Sequence, residues 1–205
     1  MNTCTYSFEE KAWAGGFSTV AGIDEVGRGA LFGPVVACAL VLRPELRVEG
    51  LNDSKQLTAR QRERLAMELQ GRGALAWGIS EASAAEIDAT NVLAASRLAM
   101  TRAVNRLALR GVEPDYLLVD ALRLDLPIRQ EPVIHGDALS ASIAAASIVA
   151  KVWRDALMDA LDAVFPLYGL KGHKGYGTKE HLKALREHGP TRFHRMTFKG
   201  VKDGN

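Results

Sequence analysis

Residues 21–42 read AGIDEVGRGALFGPVVACALVL. An apolar run closes on two adjacent carboxylates, Asp24 and Glu25. Gly27-Arg28-Gly29 follows at once, and the chain then turns apolar again. β-Branched and apolar residues on either side of a glycine-rich turn predict two strands, over 19–26 and 32–42. Acids at the end of a buried strand are costly unless they are paired, protonated or bound to a cation. The chemistry that repays them is therefore the question this stretch poses.

Outward from it, LNDSKQLT (51–58) reads as a loop whose Thr58 can cap a helix over ARQRERLAMELQ, with Gly71 as its stop. ALAWGISEAS (74–83) reads as a third strand. Residues 83–111 carry apolar side chains at helical spacing and end in Gly111, with the start and any break near Thr90-Asn91 left open. DYLLVDAL (115–122) is a short continuous apolar run of the kind that fills a central strand. EPVIHGD (131–137) reads as another strand, and a helical pattern runs from about Ala138 to Phe165. After Pro166 the chain is glycine-rich and basic (YGLKGHKGYGT), then helical again in KEHLKALREHG. There is no internal repeat and no low-complexity tract. Hairpin strands followed by alternating strands and helices predict an α/β fold with a mixed sheet and a helical C-terminal lobe. The expected division is a main domain over 1–165 and a basic lobe over 166–205, together one structural unit.

The chain has 205 residues, enough for a substantial core, with 47% apolar and 24% charged residues, as in an ordinary globular protein. Cys4 and Cys38 give neither a disulfide framework nor a paired metal-ligand spacing, so a reduced, cytoplasmic setting is expected. The N-terminus MNTCTYSFEEKAW carries acids and lacks a basic-then-apolar signal pattern. No run is long enough for a membrane span. The net charge of +2 hides an asymmetry, because Lys171–Asn205 holds nine Lys or Arg against three Asp or Glu and four of the five histidines. A basic end on a mildly acidic body fits a polyanionic partner, and equally a solvated helical surface.

Asp24, Asp120 and Asp137 each fall at or just after the C-terminal end of a predicted strand, the edge where open α/β sheets bind ligands. Carboxylates converging there make a hard-oxygen site suited to Mg²⁺ or Mn²⁺; no His or Cys joins them to favour Zn²⁺. Two such cations form a clamp for phosphodiester hydrolysis, one activating water and the other stabilising the leaving oxygen. Plainer readings stand beside this one. Asp24 can start a turn, Asp120 can pair with Arg123 or Lys151, and Asp137 can cap the helix that GDALSASI begins. Glu25 poses a geometric problem, since successive strand side chains point to opposite faces. Either the strand breaks at Glu25 or Glu25 contributes through its carbonyl or a water.

Taken together, GIDEVGRG, LNDSKQLT, YLLVDAL, HGDALSASIAAASIVAKVWRD (135–155) and HKGYGTKEHLKAL (173–185) resemble, in order, the motifs of the ribonuclease HII family. The resemblance spans about Ala21 to Arg195. It implies a ribonuclease H-like fold, a five-stranded mixed sheet flanked by helices. It also implies a metal-dependent endonuclease using two divalent cations, Mn²⁺ or Mg²⁺. Such an enzyme cuts RNA in RNA–DNA hybrids and cuts duplex DNA 5′ of an embedded ribonucleotide, leaving a 3′-hydroxyl and a 5′-phosphate. The acidic set it implies is Asp24, Glu25, Asp120 and Asp137. Telling RNA from DNA requires reading the 2′-hydroxyl, and glycine lets backbone approach a sugar closely. In the family, the turn matching Gly27-Arg28-Gly29 does this, while Tyr176 stacks on the nucleotide at the RNA–DNA junction. Asn52, Ser54 and Lys55 would lie beside substrate. Lys151, Lys171 and Lys174 are candidates for phosphate contacts.

His173, His181, His188 and His194 are expected to be surface or packing residues. Ala121-Leu122-Arg123 stands where the family has Gly-Asn-Arg, Leu139 where a lysine is usual, and Ala30 where proline is common. The related type HIII enzymes carry an added N-terminal domain, for which the roughly twenty residues ahead of the first strand leave no room. A monomer is expected, and the tail RMTFKGVKDGN holds no clear peptide for docking to a replication clamp. Two other classes remain open: a nucleic-acid-binding module without catalysis, which should have lost an acid, and a phosphatase for small esters, which would need no basic tail.

Overall fold

A computed structural model describes residues 4–202. The opening hairpin forms as read: β1 spans Val20–Val26 and β2 spans Val35–Leu42. Three more strands follow, β3 (Ala74–Ala82), β4 (Tyr116–Asp120) and β5 (Arg129–Val133). They make a five-stranded sheet in the order β3-β2-β1-β4-β5. The β1/β2 and β2/β3 pairs are antiparallel, whereas β4 lies parallel to both β1 and β5. The C-terminal ends of β1, β4 and β5 therefore share one edge of the sheet.

Among the described residues, eight α-helices surround it. They are α1 (Ser7–Ala14), α2 (Ala59–Glu68), α3 (Ala84–Ala89), α4 (Val92–Ala108), α5 (Gly136–Leu139), α6 (Ala141–Val164), α7 (Leu170–His173) and α8 (Lys179–His188). Thr58 caps α2 as expected, in a capping box with Gln61. The helical pattern over 83–111 breaks at Thr90-Asn91, where the Asn91 side chain caps α4 by accepting from the Ala94 N–H. The strand read over 131–137 stops at Val133, because His135 takes a left-handed conformation (φ 57°) and turns the chain into α5. Helix α1 has no counterpart in the sequence pattern.

Alternate residues of the sheet feed two cores. On one face Ile23, Val35, Ala37 and Ala39 meet Ala99, Met100, Ala103 and Leu107 of α4. On the other face Cys38 and Leu40 meet Ala144, Ala145, Ile148 and Val149 of α6, together with Leu65 of α2. Strand β2 is buried along its whole length, which explains its continuous apolar sequence. The C-terminal segment packs its own cluster, in which Tyr168, Leu170, Leu185 and Val201 close over Phe32 and Met158.

The first departure after Asp120 has a backbone consequence. Ala121 sits at φ 50°, in the left-handed region where a Cβ costs about 1–2 kcal/mol. Replacing Ala121 by glycine removes that cost, and the looser unfolded chain returns about 0.4–1 kcal/mol of it. Ala121→Gly is thus expected to stabilise the protein by somewhat under about 1 kcal/mol. A higher urea midpoint at unchanged slope would show this, and a lower one would contradict it.

Candidate metal and nucleic-acid site

The shared sheet edge gathers the acids. Asp24 follows directly on the last pair of the β1–β4 ladder, Ile23 with Val119. Asp120 ends β4, and Asp137 sits in the first turn of α5, directly after β5. Helix α6 seals the floor, with Ser147 hydrogen-bonded across to Ser54 at 3.0 Å. The resulting cleft of about 410 Å³ is lined by Asp24, Glu25, Asp120, Asp137, the turn Gly27-Arg28-Gly29, Ser54, Lys55, Ser147, Lys151 and Tyr176.

The alternation argument about Glu25 needs correcting. Strand β1 neither breaks at Glu25 nor withholds its side chain. Pairing with β2 continues through Val26, and oxygens of Asp24, Glu25 and Asp120 lie within 4.8 Å of one another. The reason is that β4 pairing stops at Ile23. Beyond it that side of β1 is free, and the longer glutamate reaches round the edge. The Glu25 N–H donates to Asp24 Oδ1 at 2.7 Å, and Arg28 donates to Glu25 Oε1 at 3.2 Å.

Three acids so close are held at an electrostatic cost. Burial first, then the charges of Glu25 and Asp120, push the Asp24 carboxyl well above the usual carboxylate range. Burial also raises Glu25, against the pull of Arg28. It raises Asp120 as well, although the Gly136 N–H donates to its Oδ1 at 2.8 Å. Asp137 is not the helix cap that its sequence offers: Ser140 caps α6, and Asp137 Oδ2 instead accepts from Lys55 Nζ at 3.1 Å. Asp120 pairs with neither Arg123 nor Lys151; the latter donates to Asp155 at 2.7 Å.

Tyr176 reaches the cleft through an antiparallel bridge to Ala30, and its half-buried ring lies beside the glycine turn. Asn52 does not line the cleft; its side chain accepts from the Asp53 N–H at 2.9 Å. Lys171 and Lys174 also lie outside the lining, and Lys174 pairs with Asp159. Leu139 is 37% exposed at the end of α5. Of the histidines, His181 and His194 are buried side by side, their Nε2 atoms 3.2 Å apart, and pack within the lobe. Ser147 was missed by the sequence reading because a serine in an alanine-rich helix carries no signal of its own.

Known proteins resemble this chain in sequence and in fold. The sequence profile of the family described as Ribonuclease HII matches residues 21–201. The chain is 52% identical over 198 residues to a ribonuclease HII of Koribacter versatilis, covering 97% of this chain and 76% of that one. It is 53% identical over 195 residues to one of Moorella thermoacetica, covering 95% and 93%. The crystal structure of the ribonuclease H2 from Pyrococcus horikoshii superposes with a TM-score of 0.74 at 25% identity, covering 91% of this chain and 97% of that one. The fold matches, and the two sequence relatives align along nearly the whole of this chain. The chain belongs to the ribonuclease HII family, divalent-metal-dependent endonucleases that act on the RNA of RNA–DNA hybrids.

Proposed function

We propose that the protein cuts the RNA strand of hybrids and cuts duplex DNA on the 5′ side of embedded ribonucleotides, leaving 3′-hydroxyl and 5′-phosphate ends. Its place would be in removing ribonucleotides and RNA primers during DNA replication and repair, as a cytoplasmic monomer. The observation that carries the reading is the meeting, in one cleft, of a three-carboxylate cluster with a glycine turn and a tyrosine.

The residues fit divalent cations. The donors are all hard oxygens, and Glu25 Oε2 is buried without a hydrogen-bond partner among the described residues. Asp24, Glu25 and Asp120 would hold the ions, with Asp137 completing the set. When bound, two Mg²⁺ or Mn²⁺ ions supply Lewis acidity for water activation and for the departing oxygen. The protein's own groups do the rest. Arg28 keeps Glu25 in place, and Lys55 does the same for Asp137 while presenting charge to a phosphate. Lys151 adds a second cation at the cleft wall. Ser54 and Ser147 line the floor, and Asn52 braces the loop that carries Ser54 and Lys55. The Arg28 and Gly29 N–H groups have no acceptor among the described residues, which leaves them free for a 2′-hydroxyl. Tyr176 offers a ring for stacking on the adjoining sugar or base. The basic lobe over 166–205 would steer and hold the duplex.

The test is cleavage of a DNA duplex holding one ribonucleotide, with Mn²⁺ or Mg²⁺, against the same duplex without it. A single cut 5′ of the ribonucleotide is expected, absent from the all-DNA duplex and from Asp120→Asn. Tight binding of both duplexes with no cut under either metal would sink the reading.

A further inference from the structure

Arg195 is completely buried, yet it forms no salt bridge among the described residues. A guanidinium removed from water at that cost must be satisfied by something else. Here it is satisfied by backbone carbonyls. Nη2 donates to the Gly27 carbonyl at 2.7 Å, Nη1 to the Arg28 carbonyl at 2.7 Å, and Nε to the Gly33 carbonyl at 3.0 Å. All three acceptors lie in or just beyond the glycine turn, more than 160 residues away in sequence.

The polarity of the turn follows from these bonds. Gly27 and Arg28 direct their carbonyls inward, onto the planar fork of Arg195. The N–H groups of Arg28 and Gly29 are left without a protein acceptor among the described residues, in the wall of the acidic cleft. A peptide unit points its N–H opposite to its C=O. Fixing the Arg28 carbonyl inward therefore fixes the Gly29 N–H outward, and fixing Gly27 does the same for Arg28. Gly27 itself takes φ 92°, and glycine alone adopts such a conformation without a steric cost. Left to itself, a turn of two glycines would sample many orientations of these units.

Arg195 is itself held in place. Its own N–H donates to the Leu31 carbonyl at 2.9 Å. Asp88, at the end of α3, accepts from the N–H groups of Met196 at 2.8 Å and Thr197 at 2.9 Å. The Phe198 ring lies 5.1 Å from the guanidinium carbon. A second buried guanidinium, Arg154, makes the same kind of bonds to the Phe32, Pro34 and Lys174 carbonyls, so that the turn and the Tyr176 segment are pinned from within. Burial, and then the Arg154 charge, bring Arg195 down to about 9, so it remains a cation at neutral pH.

We propose that Arg195 is the positioning residue for sugar discrimination: by capping the Gly27 and Arg28 carbonyls, it holds the turn's N–H groups toward the nucleotide's 2′-hydroxyl. This rests on the reading of the turn given above, and the experiment separates the two.

The readout is the ratio of Kd for an all-DNA duplex to Kd for the same duplex with one ribonucleotide, with Ca²⁺ as the cation. Alongside it, kcat and KM are measured with Mg²⁺. If the intact protein shows a ratio near one, the reading of the turn fails. If it prefers the ribonucleotide, Arg195→Lys decides the proposal. Lysine keeps the charge but cannot serve three carbonyls from one plane. Loss of one or two charge-assisted bonds corresponds to roughly tenfold or more. The ratio should therefore fall by about that factor, with the loss confined to the ribonucleotide duplex. An unchanged ratio in folded Arg195→Lys would overturn the proposal. Should that variant fail to fold, Asp88→Asn, which loosens the segment carrying Arg195, takes its place. A reduced ratio then supports the proposal, and an unchanged one overturns it.

Discussion

Exchanging Asp24 for asparagine is expected to abolish cleavage while making the metal-free protein harder to melt. The two effects have one cause. Asp24 is buried at the end of β1 with Glu25 and Asp120 beside it, and burial and these charges disfavour its ionised form. Asparagine keeps an oxygen for the Glu25 N–H, which donates to Asp24 Oδ1 at 2.7 Å, so the local geometry survives. It removes a desolvated charge and its repulsion with two neighbours, and stability rises. The same change takes a hard anionic donor from the cation site. Transition-state charge stabilisation by such a site amounts to several kcal/mol, and each 1.36 kcal/mol is tenfold, so kcat should fall by at least about a thousandfold. Thermal melts with and without Mn²⁺ supply a second check. The cation should raise the Tm of the original protein and leave that of Asp24→Asn nearly unmoved. A variant that melted earlier than the original without metal would show that the carboxylate, as it stands, is well satisfied by the protein.

Much of this site is legible along the chain, and what is hidden is hidden for physical reasons. Asp24 and Asp120 announce themselves because each closes an apolar run, and parallel strands bring such ends to one edge. Asp137 does not, since its local sequence reads equally well as a helix cap; the resemblance picked it out, and the fold brings it to the same edge. Glu25 escapes the alternation argument because it lies past the last β1–β4 pair, where its longer side chain can bend back toward Asp24 and Asp120. The charged residues that build the interior are the least readable. Arg195 lies in the basic C-terminal segment, whose charge can read as solvated surface, and Arg154 in a long helical pattern, yet both are fully buried, and their partners are carbonyls that no sequence pattern displays. Glu9 is similar: in helix α1 it looks like an ordinary surface acid. It is fully buried, accepting from Ser140 Oγ at 2.6 Å and from the Ser142 N–H at 2.8 Å at the start of α6. Such contacts join residues more than 130 positions apart, beyond the reach of periodicity.

Two glycines of the opening stretch should respond to alanine in opposite ways. Gly22 lies in β1 where helix α6 crosses the sheet. A Cβ there would stand 2.1 Å from the Ser142 carbonyl carbon and 2.5 Å from the Ile143 nitrogen. These are helix backbone atoms, so no side chain can swing aside; the strand and the helix must part. Overpacking that side chains can absorb costs about 1–3 kcal/mol. Gly22→Ala is expected to cost more than about 3 kcal/mol, a large share of the 5–15 kcal/mol that holds a typical domain together. The displacement also carries Asp24, two residues on, away from Asp120. Gly29 is different. It is exposed, and the nearest atom to a Cβ would be Tyr176 Cε1 at 4.0 Å, an ordinary contact. Gly29→Ala should leave stability within about 0.5 kcal/mol. It should still lower cleavage at a ribonucleotide, because the methyl group stands on the surface that a sugar must approach. Urea midpoints and cleavage rates for the two variants therefore separate the packing role of one glycine from the substrate role of the other. A folded Gly22→Ala with an unshifted midpoint would mean that β1 and α6 have room to yield, and an unaffected Gly29→Ala would mean that the sugar passes elsewhere.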